Sequence, residues 1–153
     1  LHACVLRPES RGWVKLKSSD PAMAPAINPN FVSDERDLHL LRDAARLMYR
    51  IAETPPLSDM GARDRSPIDY NDDAALEARI REVSDTIYHP VGTCRMGSDA
   101  DSVVDPKLKA RGVEGLWIAD ASIMPRLVSG NTNAPSIMIG KRAADFVRTE
   151  LAA

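Results

Sequence analysis

Cysteine is scarce: Cys4 and Cys94 are the only two in 153 residues, and they form no CxxC pair. That excludes a disulfide-stapled mini-fold and leaves two reduced thiols in a cytoplasmic protein as the plain reading. Charge of one sign is equally scarce. With 20 Lys+Arg against 22 Asp+Glu, the formal charge is −2, and the charges are spread along the chain, which argues against a nucleic-acid surface. No apolar run approaches the roughly 20 residues of a membrane helix, so no membrane span is predicted. The eight glycines include no G-x-G arrangement, so the dinucleotide-phosphate loop is absent from this stretch. What is present is ordinary for a globular protein, 44% hydrophobic and 27% charged, which excludes disorder. The length suits one domain, able to bury about two-thirds of its unfolded surface.

The opening Leu1-His2-Ala3-Cys4 carries no initiator Met, signal-peptide pattern or helix cap. Val5 and Leu6 then read as a strand already under way. This predicts a piece of a longer protein. Alternation over 5–17 predicts a half-buried antiparallel strand, with Val14 and Leu16 inward and Trp13, Lys15 and Lys17 outward. Three prolines between Ser18 and Pro29 predict a loop, because proline lacks a backbone donor. Ser33 or Asp34 is positioned to cap a helix running to about Thr54, stopped by Pro55-Pro56. Its buried face would be Leu38, Leu41, Ala45, Met48 and Ala52. A shorter helix should follow Asn71-Asp72-Asp73, with Leu76, Ile80 and Val83 on one face. The run Leu116-Trp117-Ile118-Ala119 reads as a strand. A long helix from about Ala134 to Ala152 closes the chain, with Ile137, Gly140, Ala144, Val147 and Leu151 as its buried stripe. The class is therefore α+β, with a few short strands, two or three helices and a long C-terminal helix.

Three places carry residues suited to chemistry. His89 precedes Pro90, which biases it to an extended conformation, and opens His89-Pro90-Val91-Gly92-Thr93-Cys94-Arg95-Met96-Gly97. Gly92 and Gly97 would let backbone approach a flat ligand. An imidazole is the natural general base near neutral pH, but a structural loop histidine fits the same spacing. A zinc site on His89 and Cys94 lacks nameable further ligands, so no metal is predicted. His2 and His39 have no tuning neighbours and read as surface or packing residues. In Ser129-Gly130-Asn131-Thr132-Asn133-Ala134-Pro135, asparagine capping and proline in a first helical turn are one reading. An anion-stabilising helix N-terminus with amide donors is the other. Asp120, at the end of Trp117-Ile118-Ala119, could accept bonds from a ligand hydroxyl or cap a turn.

With these stretches, in this order, the chain resembles the C-terminal portion of glucose–methanol–choline (GMC) flavoprotein oxidoreductases, in their choline and alcohol dehydrogenase branch. The matching stretches are Arg7–Gly12, His89–Gly97, Val103–Pro106, Gly112–Pro125 and Gly130–Gly140, nearly the whole chain. The resemblance implies that His89 is the base on the substrate hydroxyl and that hydride passes to flavin N5. It implies that Asn133 is the second active-site residue, holding the oxygen without taking its proton. It implies that Asp120 and Ala121 face the flavin chain, and that Asn133, Ala134 and Pro135 approach the pyrimidine end of the ring. FAD is the implied cofactor, and a small-molecule alcohol, choline-like or another primary alcohol, the implied substrate. The phosphate-cradling loop would lie in a missing N-terminal FAD-binding portion, so the piece alone is expected to be inactive and not to bind FAD. Residues 1–85 resemble part of the substrate-binding domain, and 86–153 the catalytic-histidine loop and the return to the FAD domain. A non-catalytic interaction module that kept the family sequence is the alternative.

Overall fold

The computed structural model describes residues 1–152. The chain divides into two compact units, Leu1–Asp85 and Thr86–Ala153, each with its own apolar core.

In the first unit, β1 (Trp13–Lys15) pairs antiparallel with β2 (Ala26–Asn28), with Val14 opposite Ile27. The alternation over 5–17 thus yields a three-residue strand, and it is not half-buried: Val14 is 48% and Leu16 88% exposed. β2 lies inside the stretch read as loop. Its three residues fit between Pro25 and Pro29, so neither proline falls within the pairing. Helix α1 (Glu35–Ala52) is capped by the Asp34 side chain, which accepts from Arg36 N–H. The Arg36 guanidinium also bonds this carboxylate, lowering its pKa to about 2. Asp34 therefore remains ionised, and the cap intact, well into acid.

α1 packs on α2 (Asp73–Val83) through Leu38, Leu76 and Ile80, with Leu41 and Ala45 at the margin. Val83, expected on that face, is exposed because α2 ends there. Arg42 fastens the pair, its Nη1 donating to Asp73 Oδ2 and Glu77 Oε1, both at 2.8 Å. Arg46 bonds Asp73 from the next turn.

In the second unit, the run at Leu116–Ala119 is not a strand. It contributes only a bridge from Trp117 to Lys109, because its neighbours pair residue by residue rather than in ladders. Val104, fully buried, bridges both Met96 and Ala110. Helix α3 (Asn133–Leu151) closes the chain. Its core face is Ile139 and Ala143 with Phe146 alongside, packed with Val104, Leu108, Ile123 and Met124. The predicted stripe is rotated: Ile137 is 66% and Leu151 79% exposed. Ile137 and Ile139 stand about 200° apart around a helix, so burying one exposes the other. Among the described residues, no helix is long and apolar enough to cross a membrane.

One buried charge ties the start of the chain to α1. Asp37 is 3% exposed and accepts from Glu9 N–H at 3.0 Å, Ser10 N–H at 2.8 Å and Ser10 Oγ at 2.6 Å. Removing it leaves those donors without their acceptor. Asp37→Ala should lower stability by at least about 1.5–3 kcal/mol, the range for one hydrogen bond to a charged group. Urea unfolding of the two proteins measures it. A loss below about 0.5 kcal/mol, typical of neutral surface changes, would contradict this role.

Candidate active site

The histidine loop is built from irregular backbone knitted to the segment that precedes α3. Cys94 N–H donates to Ser122 O at 3.0 Å, Met96 N–H to Ile123 O at 2.8 Å, and Gly97 N–H to Val104 O at 3.1 Å. Ile123 and Met124 are in turn buried against α3. The loop carrying His89 and the helix carrying Asn133 are therefore fixed to one core.

Local conformation restricts the backbone on both sides of His89. Tyr88 has φ 66°, a left-handed backbone costing about 1–2 kcal/mol for a residue with a Cβ, and its N–H donates to Thr86 Oγ1 at 2.9 Å. Pro90 then restricts His89 from the other side. His89 is half-buried, with Nδ1 3.0 Å from Thr132 Oγ1. Gly92 has φ 91°, and a Cβ there would sit 3.3 Å from Met124 O. The space beside Gly97 is filled by Asp99, Ser102 and Arg95, so this glycine serves packing within the protein. Arg95 pairs with Asp99 through Nη2 and Oδ1 at 2.6 Å, and that hydrogen bond holds the Asp99 carboxyl well below the ordinary carboxylate range.

The start of α3 differs from the capping expected of its asparagines. Thr132 is the N-cap and Asn133 the first helical residue. No side chain caps the helix: Thr132 has a helical rather than an extended backbone, and the position three beyond it is Pro135, which has no N–H to donate. The Asn133 and Ala134 N–H groups open the first turn, where no intrahelical acceptor exists. Both residues are exposed, while Pro135 is half-buried. Asp120 Oδ1 accepts from Ser122 N–H at 2.7 Å and caps the 3₁₀ turn Ala121–Ile123. The turn-capping reading of Asp120 is thus realised, and the residue is also exposed.

Of the candidate residues, His89 and the head of α3 come together through Thr132. Spacing did not single out Thr132; the available signal was Pro135 three residues later, which removes a capping partner. Among the described residues, no group of three or more His, Cys, Asp or Glu could hold a metal ion. The first unit carries an open groove of about 480 Å³ beside the stacked Tyr49 and Tyr70, and none of the candidate residues lines it.

A half-buried imidazole beside an uncapped helix N-terminus suits proton transfer next to developing negative charge. Comparison with known proteins gives the chain a family. The family model described as GMC oxidoreductase matches residues 8–140. The alcohol dehydrogenase [acceptor] of Pseudomonas putida is 45% identical over 148 residues, covering 96% of this chain and 27% of that protein. The oxygen-dependent choline dehydrogenase of Cronobacter sakazakii is also 45% identical over 148 residues, covering 96% of this chain and 26% of that protein. Among solved structures, an Aspergillus oryzae formate oxidase studied for its FAD modification superposes with TM-score 0.87 at 29% identity, covering 95% of this chain and 26% of that one. The chain belongs to the GMC oxidoreductase family. It spans about a quarter of the length of these relatives.

The backbone at Gly92 provides a test of the loop's construction. A side chain there meets both a left-handed φ and the Met124 carbonyl. Gly92→Ala should destabilise the chain by about 1–2 kcal/mol, the cost of a left-handed residue with a Cβ. Thermal unfolding followed by circular dichroism reads this out, and an unchanged midpoint would contradict it.

Proposed function

We propose that this chain is the part of an FAD-dependent oxidoreductase that carries the catalytic base for oxidising the CH–OH group of an alcohol, choline-like or another primary alcohol. Residues 1–85 then contribute to the substrate-binding domain. Residues 86–153 supply the histidine loop and the return to the FAD domain. The observation that carries the reading is the 3.0 Å contact between His89 Nδ1 and Thr132 Oγ1, which holds the imidazole at the head of α3, next to Asn133.

The residues fit the cofactor. The Asn133 and Ala134 N–H groups, uncapped at a positive helix end, suit the electron-rich pyrimidine edge of a flavin, an attraction of about 0.3–1 kcal/mol when exposed and more when buried. Asp120 and Ala121 would lie along its chain, and Pro135 beside the ring. Bound FAD supplies the two-electron acceptor for hydride from the alcohol carbon.

The chain's own residues do the rest. His89 takes the hydroxyl proton through Nε2, since Nδ1 is engaged with Thr132. The Asn133 side chain, which has no proton to lose, donates an N–H to the oxygen as negative charge grows there. The two roles are distinct: one group accepts the proton, the other stabilises what remains.

In the full-length protein, His89→Ala should lower the rate of flavin reduction by alcohol by about 10²–10⁴, the usual contribution of a positioned base, with flavin still bound. At Asn133, the rates should fall in the order His, Ala, Asp. A carboxylate opposes the developing negative charge, whereas Ala leaves a gap that water fills. Stopped-flow reduction measures the series. Rates within a few-fold of wild type for His89→Ala would remove the base, and an Asp variant equal to Ala would remove the donor.

A further inference from the structure

We infer that Thr132 is a positioning residue that sets the tautomer of His89, accepting a hydrogen bond from Nδ1–H and so leaving the Nε2 lone pair free. The inference rests on the proposal that His89 is the base, and it adds what makes that nitrogen available. A neutral imidazole carries one donor nitrogen and one acceptor nitrogen, and the partner of one decides the state of the other. In an otherwise unconstrained histidine the proton favours Nε2, which would block that nitrogen as a base.

The reason for reading Thr132 as acceptor lies in the start of α3. A threonine at an N-cap ordinarily uses its side-chain oxygen to accept from the N–H two or three residues on. Thr132 makes no such bond: the residue three on, Pro135, has no N–H, and the Ala134 N–H two on is not taken by the hydroxyl. Its backbone, at φ −87° and ψ −4°, also lies outside the extended region of an ordinary cap. The oxygen lone pairs are thereby left to the imidazole, whose Nδ1 lies 3.0 Å away. A hydroxyl can accept there while its own hydrogen points elsewhere. The same contact suits both states of the base. After Nε2 takes the substrate proton, the imidazolium still donates through Nδ1–H and needs no rearrangement. The helical backbone of Thr132 and the missing N–H of Pro135 together keep the hydroxyl out of capping.

The direct test is ¹⁵N NMR of the His89 ring in this 153-residue chain, under alkaline conditions where histidine is neutral. Wild type should show the Nδ1–H tautomer, Thr132→Val should move it toward Nε2–H, and Thr132→Ser should keep it. Because Thr132 does not cap α3, Thr132→Val should leave the helical circular dichroism unchanged. In the full-length enzyme, Thr132→Val should cut the limiting rate of flavin reduction by about 10–100-fold, the scale on which orienting partners of a histidine act, with KM little changed and Ser restoring the rate. A wild-type Nε2–H tautomer, or no change in tautomer in the Val variant, overturns the inference. A full-length His89→Ala enzyme that stays active while the tautomer result holds would instead overturn the base reading, and with it the catalytic purpose of the contact.

Discussion

The seating of Ile123 and Met124 against Ile139 and Ala143 is the constraint on which the rest of the candidate site depends. These side chains are aliphatic or sulfur-containing and carry no chemistry. Their burial fixes the segment before α3, and the backbone of that segment receives the histidine loop through Cys94 and Met96. A loop without strands is thereby tied to a buried segment by backbone hydrogen bonds. Burying Ile123, Met124 and Ile139 is worth about 1.5–3 kcal/mol each, enough to support a left-handed Tyr88 next to His89.

On that base the polar groups divide their work by what they lack. Asn133 has no titratable proton, Pro135 has no N–H, and the Thr132 side chain makes no cap. In the function proposed above, the amide would serve the substrate oxygen and the first-turn N–H groups the flavin, while the hydroxyl lies 3.0 Å from His89 Nδ1. Asp120 spends one carboxylate oxygen on its own turn. The same kind of clamp recurs in the first unit, where Asp37 gathers the backbone of Glu9 and Ser10.

Much of this was legible in the residues, and the failures have physical causes. α1 and α2 could be read because caps and periodicity agreed at Asp34 and Asp72. α3 was readable in extent but not in face: Ile137 and Ile139 are equally apolar, and only the position of Ile123 and Met124 decides between them. The alternation at Val14 and Leu16 signalled a strand correctly and burial wrongly, because period two reports a pleat and not what covers it. β2 was hidden by its flanking prolines. The motif around His89 singled out a loop, yet the partner of its imidazole could not be seen there, since Thr132 lies 43 positions away.

The central claim is that His89 faces the reacting oxygen with Asn133 beside it. A crystal structure of the full-length protein with FAD and a non-reacting alcohol analogue tests this most directly. The account predicts the analogue's oxygen within about 2.6–3.2 Å of both His89 Nε2 and the Asn133 side-chain nitrogen, with Thr132 still on Nδ1. An analogue oxygen held by other groups, with the His89 ring turned away from it, would contradict the account.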